Sequence, residues 1–147
     1  YNLHVMLRYE IEKELFNGNL EVDNLPTAWN TMFQDWFGIE VPEDRLGCLQ
    51  DIHWSMGAFG YFPTYTLGNL YAAQLLHAMA ADLGDIDVLV AAGDWQPMLD
   101  WLRARIHQRG SQVSPAQLIE DATGSPPSPE PFLEYVEKKY GELYNLG

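Results

Sequence analysis

Cysteine and basic residues are scarce in this sequence. One of the 147 residues is a cysteine, Cys48, so no disulfide can form within the chain. A lone cysteine is typical of proteins from a reducing compartment, and we expect a cytoplasmic location. The sequence has only 8 lysines and arginines but 21 aspartates and glutamates, which gives a formal net charge of −13. Because nucleic acids and anionic membranes are bound through Lys and Arg, this charge argues against both partners.

Long apolar runs and common catalytic motifs are also missing. No run reaches the ~18 apolar residues that a membrane-spanning helix needs. The four histidines are never four residues apart, so the sequence contains no HExxH zinc-binding pair. It also contains no phosphate-binding glycine loop and no Gly-x-Ser-x-Gly nucleophile elbow. The residues by themselves therefore supply no complete catalytic apparatus.

What the sequence does contain is helical periodicity. Apolar residues make up 47% of the chain and recur at the spacing of amphipathic helices. No alternating segment is long enough for a strand, so the fold class is all-α. The acidic run with Glu10 and Glu12 reads as a solvated face, and the aromatic stripe through Trp29 and Trp36 reads as core. Predicted helices cover residues 1–16, 26–37, 63–83, 86–92, 97–108, 115–124 and 131–143.

Between the second and third predicted helices lies a stretch of unusual composition, residues 47–65. It places His53, Tyr61 and Tyr65 on one loop and the start of one helix. Such hydrogen-bond donors can stabilise the oxyanion that forms when water attacks an amide carbonyl. The spacing alone leaves another interpretation open, in which His53 is a core histidine beside Trp54 and the tyrosines are packing aromatics.

A resemblance to a known family gives this stretch a more specific meaning. The motif Gly47-x-x-Gln50-Asp51-x-His53-Trp54 resembles the GxxQDxHW signature of the Taq-type zinc metallocarboxypeptidases. The resemblance implies an all-α, HExxH-type (gluzincin-like) metallopeptidase fold, of which residues 1–147 form a single C-terminal helical region. It also implies that the full-length enzyme uses zinc (or cobalt). The zinc ligands are expected upstream of this sequence, so we expect this chain to bind no metal. Further segments that resemble the family are 1–12, 25–30, 53–74, 122–124 and 138–140.

The resemblance also implies roles for individual residues. His53 and Tyr65 correspond to catalytic donors that hold the tetrahedral oxyanion, and Tyr61 to a third donor that binds substrate. Gln50 and Asp51 are expected to shape the loop and to orient His53.

An exopeptidase must also bind the free carboxylate of its substrate, which requires a cation. Arg8 is the candidate for this role, because it lies in a matching motif. Three alternatives remain open: Arg8 pairs with Glu12 at i, i+4, the family's arginine lies upstream, or Arg45 takes the role.

The sequence therefore predicts the C-terminal part of an enzyme that releases residues from peptide C-termini. We expect peptide substrates and a homodimer for the full-length enzyme, and no activity for the isolated chain. The alternative is a helical interaction or dimerisation domain without a catalytic role. We also expect the isolated chain to self-associate through exposed apolar surface on its 1–16 or 63–83 helix.

Overall fold

Helices make up most of the chain in the computed structural model, which describes residues 1–146. Within these residues there is no strand, which confirms the all-α prediction. None of the described helices has the length and apolar composition that crossing a bilayer requires. The α-helices are α1 (Asn2–Phe16), α2 (Leu25–Phe37), α3 (Pro63–Leu83), α4 (Ile86–Ala92), α5 (Gln96–Leu102), α6 (Pro115–Thr123) and α7 (Glu130–Tyr144).

The described chain divides into two compact units, residues 1–67 and the residues from Gly68 onward. The first unit holds α1, α2 and residues 47–65, which include the signature motif. Short 3-10 turns form in this unit at Val22–Asn24, Asp44–Leu46 and Trp54–Met56. The expectation of a single C-terminal region concerns the organisation of a longer protein, and it stays a prediction.

Most helix ends follow the local sequence signals. Gly38 closes α2 at a φ of +66°, a conformation that glycine adopts without steric cost. Ser114 caps α6 by accepting a hydrogen bond from the Gln117 backbone N–H. The prediction for 97–108 differs, because α5 gives way to a π-helical turn at Arg103–His107. A hydrogen bond from Gln108 N to Arg103 O, five residues earlier, marks this wider turn. Over so few residues, the spacing of apolar side chains does not distinguish a π turn from an α-helix.

The core of the first unit is built around α1 and α2. Trp29 is 1% exposed and packs with two fully buried α1 residues, Leu7 and Ile11, and with Cys48. The predicted aromatic stripe is wrong at one position, since Trp36 is 40% exposed. Partly buried side chains that complete this core are Leu15, Leu20, Leu25, Met32, Phe33, Phe37, Val41 and Trp54.

In the second unit, hydrogen bonds between polar side chains add to apolar packing in holding the helices together. Trp101 is buried, and its indole N–H donates to the carboxylate of Asp82 on α3. Arg105 in the π turn also contacts Asp82 and donates to the Ala122 carbonyl of α6. These bonds hold the π turn against α3 and α6.

Candidate active site

His53 and Tyr65 lie together at the end of the signature stretch. His53 precedes the 3-10 turn Trp54–Met56, and Tyr65 lies in the first turn of α3. The distance from His53 Nε2 to the Tyr65 hydroxyl oxygen is 3.1 Å, which is hydrogen-bond distance. The Tyr61 ring stacks on the His53 imidazole at 5.8 Å between centroids. The structure thus brings together the three donors that the sequence pointed to.

The surroundings of these donors are partly apolar. The His53 ring also contacts the buried ring of Phe62 at 4.6 Å, and its Nδ1 is buried without a hydrogen-bond partner among the described residues. Tyr61 is 48% exposed, so one side of the cluster is open to solvent. Desolvation, with the neighbouring Tyr61, raises the pKa of the Tyr65 hydroxyl above its ordinary value of 10.0. Tyr65 is therefore a protonated donor at neutral pH.

Arg8 is buried and, in the described part of the chain, contacts none of the three donors directly. It is 4% exposed, and its guanidinium forms an ion pair with Asp51 and donates to the His4 carbonyl. The group lies 5.0 Å from the ring centres of both Trp29 and Phe62. Burial lowers the Arg8 pKa, while the contact with Asp51 opposes that shift. In this structure the guanidinium thus has a carboxylate partner within the chain.

The remaining predicted residues shape the loop. Gln50 Nε2 donates to the Gly47 carbonyl at 3.0 Å and so closes the turn at the start of the signature. Asp51 forms an ion pair with Arg8. Among the contacts of residues 1–146, no hydrogen bond joins Gln50 or Asp51 to His53.

Glu12 is the residue that the sequence reasoning missed. The expectation of a solvated face is wrong for Glu12, which is 4% exposed. One carboxylate oxygen accepts from the Trp54 indole N–H at 2.8 Å, and the other from the Gly60 backbone N–H at 2.9 Å. Arg8 pairs with Asp51 and not with Glu12. The sequence carried no clear signal for this burial, because a Glu four residues after an Arg on one helix is the pattern of an exposed ion pair.

A metallopeptidase needs ligands for its metal ion, and the described residues do not supply a set. Within residues 1–146 no three His, Cys, Asp or Glu side chains lie close enough to hold an ion. The Nε2 atom of His53 contacts the Tyr65 hydroxyl, and its ring packs against Phe62. The residues described here thus do not fit the metal that the family resemblance implies, and no reaction step is assigned to a metal on them.

Comparison with known proteins relates this geometry to one enzyme family. Thermostable carboxypeptidase 1 of Thermus thermophilus is 51% identical over 144 residues, which are 98% of this chain and 28% of that protein. Carboxypeptidase 1 of Bacillus subtilis is 43% identical over 99% of this chain and 29% of its own length. The crystal structure of the M32 carboxypeptidase from Deinococcus radiodurans superposes with a TM-score of 0.94 at 39% identity, over 99% of this chain and 29% of that one.

The chain therefore spans less than a third of the length of these relatives. The family model described as Carboxypeptidase Taq (M32) metallopeptidase matches residues 1–140, which is nearly the whole chain. With the signature motif, the all-helical fold and the similarity to carboxypeptidase structures in agreement, the chain belongs to the Carboxypeptidase Taq (M32) metallopeptidase family.

Proposed function

We propose that this chain is the C-terminal part of a metallocarboxypeptidase and that it supplies donors which bind the substrate during hydrolysis. The observation that carries the proposal is the 3.1 Å contact between His53 Nε2 and the Tyr65 hydroxyl, beside exposed Tyr61. Family membership and the carboxypeptidase names of the relatives support the reaction class.

The chemistry asked of these residues is the stabilisation of negative charge. When water adds to the carbonyl carbon of a peptide bond, charge develops on the carbonyl oxygen. Donors already in place lower the barrier, because they bind the oxyanion more strongly than the ground-state carbonyl. We assign this role to Tyr65 and His53, and we assign Tyr61, at the open side, to contact with the substrate backbone.

The roles of the supporting residues are proposed on their contacts. Gln50 and Asp51 hold the loop that carries His53, through the Gly47 carbonyl and Arg8 respectively. Arg8 stays the predicted partner for the terminal carboxylate of the substrate. In that role it would have to exchange Asp51 for the substrate, and its existing ion pair supports the competing role of a loop anchor.

The full-length enzyme is proposed to act on peptides in the cytoplasm as a homodimer that contains zinc or cobalt. No set of metal ligands lies among the described residues. We therefore propose that residues outside this chain hold the metal, and that the isolated chain is inactive.

The test is steady-state kinetics of the full-length enzyme on a blocked dipeptide. We expect His53→Ala and Tyr65→Phe each to lower kcat by about 10²–10³-fold, as loss of an oxyanion donor does, with a much smaller change in KM. Tyr9→Phe is the matched control, since Tyr9 is an α1 residue that is 43% exposed and outside the cluster. Unchanged kcat in both variants would refute the oxyanion role.

The alternative function is an interaction or dimerisation domain, and the apolar side chains exposed on α1 favour it. Leu3 and Met6 are 53% and 50% exposed. A folded, metal-loaded full-length protein without peptidase activity would support this alternative. Chelator-sensitive activity of the long protein, with none in the isolated chain, would support the enzyme.

A further inference from the structure

We infer that Glu12 is a positioning residue for the proposed reaction, because its carboxylate fixes both ends of the loop segment that separates His53 from Tyr61. The inference rests on the proposed function of these two residues and adds a residue that does not itself contact substrate.

The geometry places one carboxylate between two points of the loop. Trp54 directly follows His53, and Gly60 directly precedes Tyr61. Glu12 Oε1 lies 2.8 Å from Trp54 Nε1, and Glu12 Oε2 lies 2.9 Å from Gly60 N. Each oxygen therefore holds the residue next to one of the stacked rings. Among the described contacts, Glu12 makes both hydrogen bonds between the 54–60 segment and α1, and the Phe59 ring also packs on Phe16 of α1 at 5.2 Å between centroids.

The group that holds both ends of the 54–60 segment is a buried carboxylate. A buried carboxylate is costly unless it is fully hydrogen-bonded, and here two neutral N–H donors satisfy it. Gly60 has a φ of +72°, a conformation that other residues rarely adopt. The charge-assisted bonds are about twice as strong as neutral ones, so they hold the loop tightly.

Glutamine cannot replace this carboxylate, although the two side chains have nearly the same shape. Its amide has one acceptor oxygen, so it can serve Trp54 or Gly60, and its NH₂ group then faces the other donor. One end of the segment is released, and the His53 and Tyr61 rings lose their fixed spacing. Since a displacement of about 1 Å at reacting groups can cost 10²-fold in rate, we expect Glu12→Gln to lower kcat by about ten- to a hundredfold.

The experiment measures kcat and KM of the full-length enzyme at a temperature where every variant is folded. The variants are Glu12→Gln, Trp54→Phe and the double variant, with Glu10→Gln as the matched control. Glu10 lies on the same helix, is partly exposed and pairs with Lys13, so we expect wild-type kinetics from it. In the double variant the amide oxygen is free to accept from Gly60, so Glu12→Gln should cost several-fold less there than in the wild type.

A second readout reports the contact without using activity. With 5-fluorotryptophan incorporated, the fluorine resonance of Trp54, assigned by its loss in Trp54→Phe, should shift in Glu12→Gln and stay in place in Glu10→Gln. A shifted resonance with unchanged kcat would make Glu12 merely structural and would overturn the inference. Equal costs of Glu12→Gln in the two backgrounds would also overturn it.

The His53 and Tyr65 variants test the proposed function separately from the role of Glu12. If His53→Ala and Tyr65→Phe lose activity while Glu12→Gln keeps it, the inference fails and the proposed function stands. If His53→Ala and Tyr65→Phe keep activity, the proposed function fails and the inference fails with it. If Glu12→Gln does not fold, the kinetics of Trp54→Phe test the inference. This variant removes one of the two hydrogen bonds to Glu12, so it should lower kcat severalfold without raising KM. A wild-type kcat in Trp54→Phe would overturn the inference.

Discussion

Gly47, the first residue of the signature motif, has no room for a side chain. A Cβ atom at this position would lie 2.7 Å from Val41 Cγ1, 3.2 Å from Trp29 Cδ1 and 3.3 Å from Asn30 Oδ1. The loop backbone thus packs directly on the α2 indole. We expect Gly47→Ala to lower the free energy of unfolding by about 1–3 kcal/mol, the usual cost of overpacking. Urea unfolding followed by circular dichroism measures it.

Gly68 provides the matched control for that substitution. It lies within α3, and a Cβ there meets nothing within 4 Å. Gly68→Ala should therefore raise stability by about 0.5–1 kcal/mol, because alanine loses less backbone entropy in a helix. Equal effects of the two substitutions would contradict the close packing at Gly47.

Cys48 is a buried thiol whose chemistry follows from its burial. It is 5% exposed, and desolvation, with a smaller contribution from Asp44, raises its pKa above the ordinary 9.0. The folded chain therefore holds the thiol proton more tightly than the unfolded chain. This contribution to stability is complete below the ordinary pKa and is lost as the pH rises from about 9 through the raised value.

The measurement is the free energy of unfolding between about pH 8 and pH 10.5, for the wild type and for Cys48→Ala, which lacks the thiol. We expect the alkaline decrease to be smaller in Cys48→Ala. Native Cys48 should also react with Ellman's reagent far more slowly than the urea-unfolded chain. Fast labelling of the native protein would show that the thiol is accessible.

At the scale of elements, Gln74 joins α3 to the proline-rich linker that precedes α7. It is 3% exposed, its Nε2 lies within 3.1 Å of oxygen atoms on Thr123, Ser125 and Pro126, and its Oε1 accepts from Ser128 N. One amide thus orders a segment that has no backbone hydrogen-bond ladder of its own. Gln74 thus ties the linker to α3, in addition to the restriction that its prolines place on their own φ angles.

Gln74→Leu should lower the free energy of unfolding by about 1–3 kcal/mol, because Ser128 N and its neighbours lose their partner. Limited proteolysis should cut the 125–129 linker faster in this variant. Gln112→Leu, at an exposed position between α5 and α6, is the control and should change neither measurement. A linker that resists proteolysis in Gln74→Leu would mean that other contacts hold it.

At the scale of the whole molecule, exposed apolar surface competes with a large negative charge. Leu3, Met6 and Tyr9 are each more than 40% exposed on α1, while the net charge of −13 opposes association. We predict that the 147-residue chain, made by itself, self-associates and does so more strongly as salt screens the charge.

Size-exclusion chromatography with light scattering tests this prediction over a salt series. Met6→Lys should weaken association, and Asn19→Lys, at an exposed site after α1, should leave it nearly unchanged although it adds the same charge. A strictly monomeric chain at all salt concentrations would contradict the prediction.

The helices and their ends are features that the sequence by itself determined. Gly38 after α2 and Ser114-Pro115 before α6 act through neighbouring residues, so local pattern suffices to predict them. The signature motif likewise indicated the family, and through that resemblance it pointed to His53 and Tyr65, whose side chains the fold brings to 3.1 Å of each other.

Tertiary structure decided which charged residues are buried and what they bind. Arg8 meets Asp51 across 43 residues of sequence, and Glu12 meets Trp54 across 42. On a helix taken alone, Arg8 and Glu12 are natural i, i+4 partners in solvent. Only the packing of α1 against the signature loop gives each a stronger partner, since desolvation makes a hydrogen bond to a fixed group worth more than an exposed ion pair.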